Sequence, residues 1–305
     1  MADYLVSWKD GKAKKAILDF IDTITTTGLS FVEPADRIAT FDNDGTLWVE
    51  RPMPPQFDFL FRTWAKEAQD DPTLARKQPY KAIIERDEPY FQGLVTQDPN
   101  VVMPLEQAVA HSWAGTTPEA FDAQVRDFID NIKHPKYGVG YTKLVYQPML
   151  ELFDLLKAND FRVFVCSGGG RDFMRVISEE TWGIYKEDVI GSSAEYEYTD
   201  GKIVRTDIML GGLALGPGKP VHIFARTGRL PLFAGGNADV DLEMLESAKF
   251  ALLINHDDSD REYDYTQGAE NSLVKAKELG WTVVSMKNDW KTVFQSAHTH
   301  SSEEH

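Results

Sequence analysis

Asp42 and Asp44 stand one residue apart at the end of a short apolar run, in IATFDNDGTLWVE, with Gly45 and Thr46 directly after them. Two carboxylates that close repel each other, and neither is stable in a buried strand without a compensating charge. Other apolar runs end in a comparable way. Ser167, Gly168, Gly169 and Gly170 close FRVFVCSGGG. Gly235, Gly236, Asn237, Asp239 and Asp241 follow PLFA, and His256, Asp257 and Asp258 follow FALLIN. Oxygen-bearing side chains gathered in this way suit a hard cation such as magnesium, which takes one or two carboxylates, keeps waters and bridges to a phosphate. Glycines beside Ser167 let backbone N–H groups approach a phosphate oxygen, and a following helix adds a favourable dipole.

These residues act together only if a fold brings the ends of several strands to one edge. RIATFD, FRVFVCS, PLFAGG and FALLINH read as four strands and WTVVSM as a fifth. They are apolar throughout, as strands of a parallel sheet buried on both faces must be. Between them PMLELFDLLKAND, ADVDLEMLESAK and NSLVKAKELG carry apolar residues at helical spacing, and Ile17, Phe20, Ile21 and Ile24 mark a helix face ahead of the first strand. The predicted class is α/β, a Rossmann-like parallel-sheet core with helices on both faces. Ligands of such sheets bind at the carboxyl ends of the strands.

Residues 49–142 differ in character, being rich in Pro, Trp and Phe, and are too long for a loop. In TTPEAFDAQVRDFIDNIK, Thr117 is placed to cap a helix, Pro118 suits its first turn, and Phe121, Val125, Phe128 and Ile132 form a stripe. This interval is expected to be a helical cap inserted after the first strand, with Trp48, Trp64 and Trp113 in its core. Residues 1–48 and 143–297 would form the discontinuous sheet domain. SSAEYEYTDGKIVRTDIM reads as a hairpin turning at Asp200–Gly201. Residues 298–305 are expected to be a disordered tail, whose His298, His300 and His305 match no zinc pattern.

The formal net charge of −16 disfavours nucleic acid and anionic membranes as partners, since phosphate backbones are held mainly by Lys and Arg. An anionic substrate then needs a locally positive pocket. The single cysteine, Cys166, excludes intrachain disulfides and a cysteine-rich zinc site, and reads as a buried small hydrophobe. No apolar run approaches the roughly 20 residues of a membrane helix, and MADYLVSWKDGKAKKAILDF lacks the apolar core of a secretory signal. The expected location is cytoplasmic, or periplasmic or secreted if the chain is a processed form.

DNDGT resembles the first signature of the haloacid dehalogenase-like (HAD) hydrolases, Asp-x-Asp-x-Thr at the end of the first strand. VCSGGGRDF resembles the second, GPGKP offers Lys219 as the third, and GGNADVDLEM resembles the acidic fourth. SGGG, an early insertion and a hairpin before the lysine are closest to the phosphoserine phosphatase branch. The resemblance implies that Asp42 is the nucleophile, forming an aspartyl-phosphate, and that Asp44 is the general acid and then base. Ser167 and Lys219 would hold the transferring phosphoryl oxygens, with Gly168 and Gly169 beside them. Mg2+ is the implied cofactor, with Asp42, the Asp44 carbonyl, Asn237 and Asp241 around it. Asp241 would hold the metal or orient Lys219. Asn237 stands where the family often has aspartate, so Asp239 or Asp241 would supply the missing charge.

Glu50 and Arg171 are candidate contacts to substrate, the alternatives being hinge or solvated positions. For His256, a structural role is favoured. The implied function is hydrolysis of a small phosphorylated metabolite. The alternatives are phosphate transfer to another alcohol through the same intermediate, or binding with little turnover. An acid two residues after the nucleophile favours phosphate esters over haloacids.

Overall fold

Every residue of β1 (Ile38–Phe41) is buried, as is most of β2 (Arg162–Gly170). Along β2, Val163 and Val165 enter one core cluster while Phe164 and Cys166 enter another, as the two-residue period of a strand requires. The sheet is therefore covered on both sides. The structure, a computed structural model, describes residues 4–94, 96 and 98–295. The expected tail with its three histidines lies outside the described residues.

Seven strands form the main sheet. β1 pairs in parallel with β2 on one side and β6 (Phe233–Gly236) on the other. β3 (Val189–Ser192) extends the sheet beyond β2. Beyond β6 lies β7 (Phe250–Asp257), and β9 (Thr282–Ser285) runs parallel to it. β8 (Asp264–Tyr265) is antiparallel to the end of β7, at His256 and Asp257. Helices Lys12–Thr25 and Gln147–Ala158 cover one face through Ile17, Ile21, Leu152 and Phe153. Helices Gly218–Thr227, Leu242–Ser247 and Glu270–Leu279 cover the other through Ile223, Met244, Leu245 and Ala276. The α/β parallel-sheet class predicted from the apolar runs is the one found.

Three details differ from the sequence reading. β3 and β8 were not foreseen, because VIGS is short and contains glycine while DY carries no apolar signal. β2 does not stop at Ser167 but continues through Gly170, with a register shift between those residues. Met286 begins the helix Met286–Asp289 instead of ending the last strand.

Between β1 and β2 the chain forms helices Pro55–Asp70, Tyr80–Glu85, Glu88–Phe91, Pro99–Ser112 and Pro118–Asn131. Thr117 caps the last by accepting the Ala120 N–H (3.3 Å), and Phe121, Val125 and Phe128 are buried. Ile132 falls just past the helix end. The outgoing and returning passages lie side by side: Val49 N–H donates to Leu144 O (3.1 Å) and Tyr146 N–H to Leu47 O (2.9 Å). The hairpin forms from β4 (Ala194–Thr199) and β5 (Lys202–Met209). Asp200 and Gly201 both have positive φ at its turn, as a two-residue loop that matches strand twist requires. Its backbone also pairs with the insertion, Gly115 N–H to Arg205 O (2.7 Å) and Arg205 N–H to Thr116 O (2.9 Å). Among the described residues no helix is long and apolar enough to cross a membrane.

Candidate active site

Asp42 follows β1 directly, and its N–H still donates to Gly235 O of β6 (2.9 Å), so the sheet ladder fixes its backbone. Lys219 opens the helix Gly218–Thr227 and is fully buried. Its Nζ reaches Asp42 Oδ1 (2.5 Å) and also Asp241 Oδ1. Asp241 Oδ2 in turn accepts the N–H groups of Asn237 (2.9 Å) and Ala238 (3.0 Å). One ammonium thus lies between two buried carboxylates, a pairing that burial makes obligatory. Burial and the neighbouring Asp241 charge hold Asp42 well above the usual carboxylate range. Burial alone would lower Lys219, yet Asp241 and Asp42 outweigh it and keep the ammonium charged.

Asp44 is only partly buried and accepts the Trp48 Nε1–H at Oδ1 (2.8 Å). Burial pushes its pKa up to about 7, with the Trp48 bond opposing and the Glu50 charge adding to the rise. Between the two acids and Trp48 the backbone is pinned from several sides. Gly45 has φ +74°, and a Cβ there would lie 2.1 Å from Asn237 Nδ2. Gly45 O accepts His256 Nε2–H (2.8 Å), while His256 Nδ1 faces Glu262 at 3.1 Å. Thr46 Oγ1 donates to Asn237 Oδ1 (3.0 Å), and Asn237 Nδ2 donates to Glu50 Oε1 (3.1 Å). Tyr265 OH donates to the same Glu50 oxygen (2.5 Å).

Asp42, Asp44, Glu50, Ser167, Gly168 and Gly169 line one cavity of about 320 Å³. Ser167 Oγ accepts the Gly169 N–H (3.1 Å), and Gly170 N–H donates to Oε1 of Gln56 from the insertion (2.6 Å). The rest of the lining is mainly apolar, aliphatic and aromatic side chains together, with Phe59 stacked on Trp113 (5.4 Å between centroids, 14° between planes). A buried ion pair, Arg205 with Asp172, borders it, and Tyr196 OH donates to Asp172 Oδ2 (2.5 Å).

The sequence profile described as haloacid dehalogenase-like hydrolase matches residues 39–246, more than half of the chain. The chain is a haloacid dehalogenase-like hydrolase. Among curated proteins none matches significantly. Among solved structures, the hydrolase resembles a functionally unknown protein from Anaerococcus prevotii DSM 20548 with a TM-score of 0.58. The two are 14% identical, and the likeness covers 93% of this chain and 94% of that one. A protein of unknown function from Bordetella pertussis Tohama I gives 0.52 at 17% identity, covering 81% and 97%. A phosphoserine phosphohydrolase-like protein from Francisella tularensis subsp. tularensis SCHU S4 gives 0.45 at 14% identity, covering 81% and 94%. At these identities the likeness concerns the fold.

The structure brings Asp42, Asp44, Ser167, Lys219, Asn237 and Asp241 of this hydrolase together, although they are spread over 200 positions of the chain. Asp241 contacts Lys219 through Oδ1 and the Asn237 and Ala238 N–H groups through Oδ2. Asp239 instead holds Asn271 and Ser272 at the start of the helix Glu270–Leu279. Arg171 pairs with Asp172 (3.4 Å) and is not among the residues that line the cavity. Trp113, expected in the insertion core, is buried but lines the cavity as well. Cys166 is buried and its thiol is pushed up to about 12 by burial, which leaves it unreactive.

Sequence reasoning missed Gln56, Glu106, Asp172 and Arg205, all of which line the cavity. Asp172 and Arg205 carried no signal beyond their charge, because their pairing depends on how the hairpin docks.

Proposed function

We propose that this hydrolase is a magnesium-dependent phosphomonoesterase acting on a small phosphorylated metabolite through an aspartyl-phosphate. The observation that carries the reading is Asp44, which lines the same cavity as Asp42 and has its pKa at about 7. Such a group can give up a proton and take one back near neutral pH. Asp42 attacks phosphorus, and the ester P–O bond breaks as Asp44 passes its proton to the leaving alcohol oxygen. Asp44 then removes a proton from water, whose oxygen attacks phosphorus and releases Asp42. Ser167 and the Gly168 amide line the cavity and would donate to the phosphoryl oxygens; the Gly169 N–H would join them on leaving Ser167 Oγ, and Lys219, buried behind Asp42, would add its charge.

The donor set is compatible with a hard cation. Asp42 Oδ2 and the Asp44 carbonyl accept no hydrogen bond among the described residues, and the Asn237 amide oxygen faces the same loop. No group of three His, Cys, Asp or Glu side chains is arranged for a metal among the described residues, so main-chain and amide oxygens have to contribute. Bound Mg2+ supplies positive charge to the transferring phosphoryl group. Hydrolysis of a chromogenic aryl phosphate, with magnesium and with chelator, tests the reading. Metal-dependent phosphate release is expected; equal or absent release in both conditions rejects it.

A further inference from the structure

The cavity has two unlike ends, and only one is explained by a phosphoryl group. On the other, Phe59, Leu60, Leu105, Val109, Trp113 and Phe121 face the enclosed space. At about 320 Å³ the cavity falls at the lower end of the usual range for small-ligand sites, about 300–1,000 Å³, enough for a phosphoryl group and a ring-sized remainder. A small zwitterion such as phosphoserine would strip the hydration from its ammonium and carboxylate against this wall.

The charged groups in the wall are also unequally committed. Arg205 is bound to Asp172 and lies over the Phe121 ring at 4.5 Å. Arg51 lies over the Tyr265 ring at 4.2 Å and donates to Gln267 O at 3.4 Å. Each cation has a partner at a terminal nitrogen, although the Nε–H of both is buried without a hydrogen-bond acceptor among the described residues. Glu106, on the helix Pro99–Ser112, also lines the cavity and has no hydrogen bond or ion pair among the described residues. Burial raises its pKa, as expected of a carboxyl group in an apolar wall with no partner.

We infer that the alcohol half of the substrate is an apolar, ring-sized group carrying an amine or similar hydrogen-bond donor, seated on the apolar wall with its donor on Glu106. A carboxylate without a partner in this wall favours a cation or a hydrogen-bond donor over an anion by direct charge, and the apolar side chains around it favour a hydrophobic body. This inference rests on the phosphatase reading for where the phosphoryl group sits.

The test uses benzyl phosphate and its 4-aminomethyl and 4-carboxy derivatives, which share a leaving oxygen, alongside phosphoserine. Wild-type kcat/KM is expected to be at least tenfold higher for benzyl phosphate than for phosphoserine. The 4-aminomethyl compound should exceed the 4-carboxy compound by at least tenfold, and Glu106→Gln should lower that ratio about tenfold. Glu106→Lys should invert it. A preference for phosphoserine, or a ratio unmoved by either substitution, overturns the inference.

Calorimetric titration with the matching benzylphosphonates reads the same preference without turnover. If no ester is hydrolysed but 4-aminomethylbenzylphosphonate binds at least tenfold tighter than its 4-carboxy analogue, the phosphatase reading fails and the cavity assignment stands. If the phosphonates bind alike, the cavity assignment fails whatever the turnover.

Discussion

At the scale of single residues, the site depends on one cation placed between two acids. Asp42→Asn removes the proposed nucleophile and should abolish turnover, while Asp44→Asn leaves attack possible without proton transfer. Loss of a general acid typically costs about 10²- to 10⁴-fold, and phosphate-release assays should place Asp44→Asn in that range. Full activity in either variant would remove these assignments. Lys219→Met leaves Asp42 and Asp241 buried side by side with no ammonium between them. Breaking a buried pair in this way costs about 3–5 kcal/mol, measurable as a lower denaturant midpoint. An unchanged midpoint would mean that the pair contributes nothing to folding.

Asp42, Asp44 and Asp241 were legible from the sequence because each follows an apolar run whose end had to reach the sheet edge, whereas Lys219, at a helix start, was offered by the family resemblance alone. Gln56, Glu106 and Arg205 were not legible, since their positions follow from packing between helices and a hairpin, which no local pattern encodes.

At the scale of elements, two turns with the same backbone sign carry different demands. Gly45 (φ +74°) has Asn237 and Glu50 against the place of a Cβ, whereas Gly115 (φ +75°) has open space there. Alanine at Gly115 should cost only the left-handed conformation, about 1–2 kcal/mol. Alanine at Gly45 should cost more and should also impair activity, because the loop carrying Asp44 must shift. Equal destabilisation of the two variants would show that the Gly45 loop yields freely.

His134, at the return from the insertion, accepts the Lys136 N–H at Nδ1 (3.1 Å) and donates from Nε2 to Arg51 O (2.6 Å). This pattern needs the neutral ring. Burial lowers its pKa below the ordinary value, with the Arg51 bond and the Glu262 and Asp58 charges opposing and Lys136 reinforcing. The folded state then binds fewer protons than the unfolded chain, so this stability is complete above about pH 6.5 and falls as pH drops towards the folded value. His134→Gln should flatten that part of the profile in unfolding measured from about pH 7.5 to about pH 5. Parallel curves for the two proteins would exclude a role for His134.

At the scale of the whole molecule, a net charge of −16 repels a phosphate ester before contact. Raising ionic strength from about 0.01 M to about 0.15 M shortens the Debye length from about 30 Å to about 8 Å. At fixed free magnesium, kcat/KM should then rise about two- to threefold; a fall would mean that local positive charge dominates the approach. The α/β architecture was readable from five apolar runs, and its parallel order from their burial on both faces. The short strands Val189–Ser192 and Asp264–Tyr265 escaped because register with longer neighbours makes them, not their own composition. Where the insertion helices lie relative to the sheet was equally invisible.

One feature of that placement reaches further. Leu47–Val49 and Leu144–Tyr146 run hand in hand, so the long excursion departs and comes home at the same doorstep. A lineage can therefore lengthen, trim or trade that excursion without stretching the strands beneath it. Under the proposed function, residues that meet the organic half of a substrate can change there while Asp42 and its neighbours keep their positions.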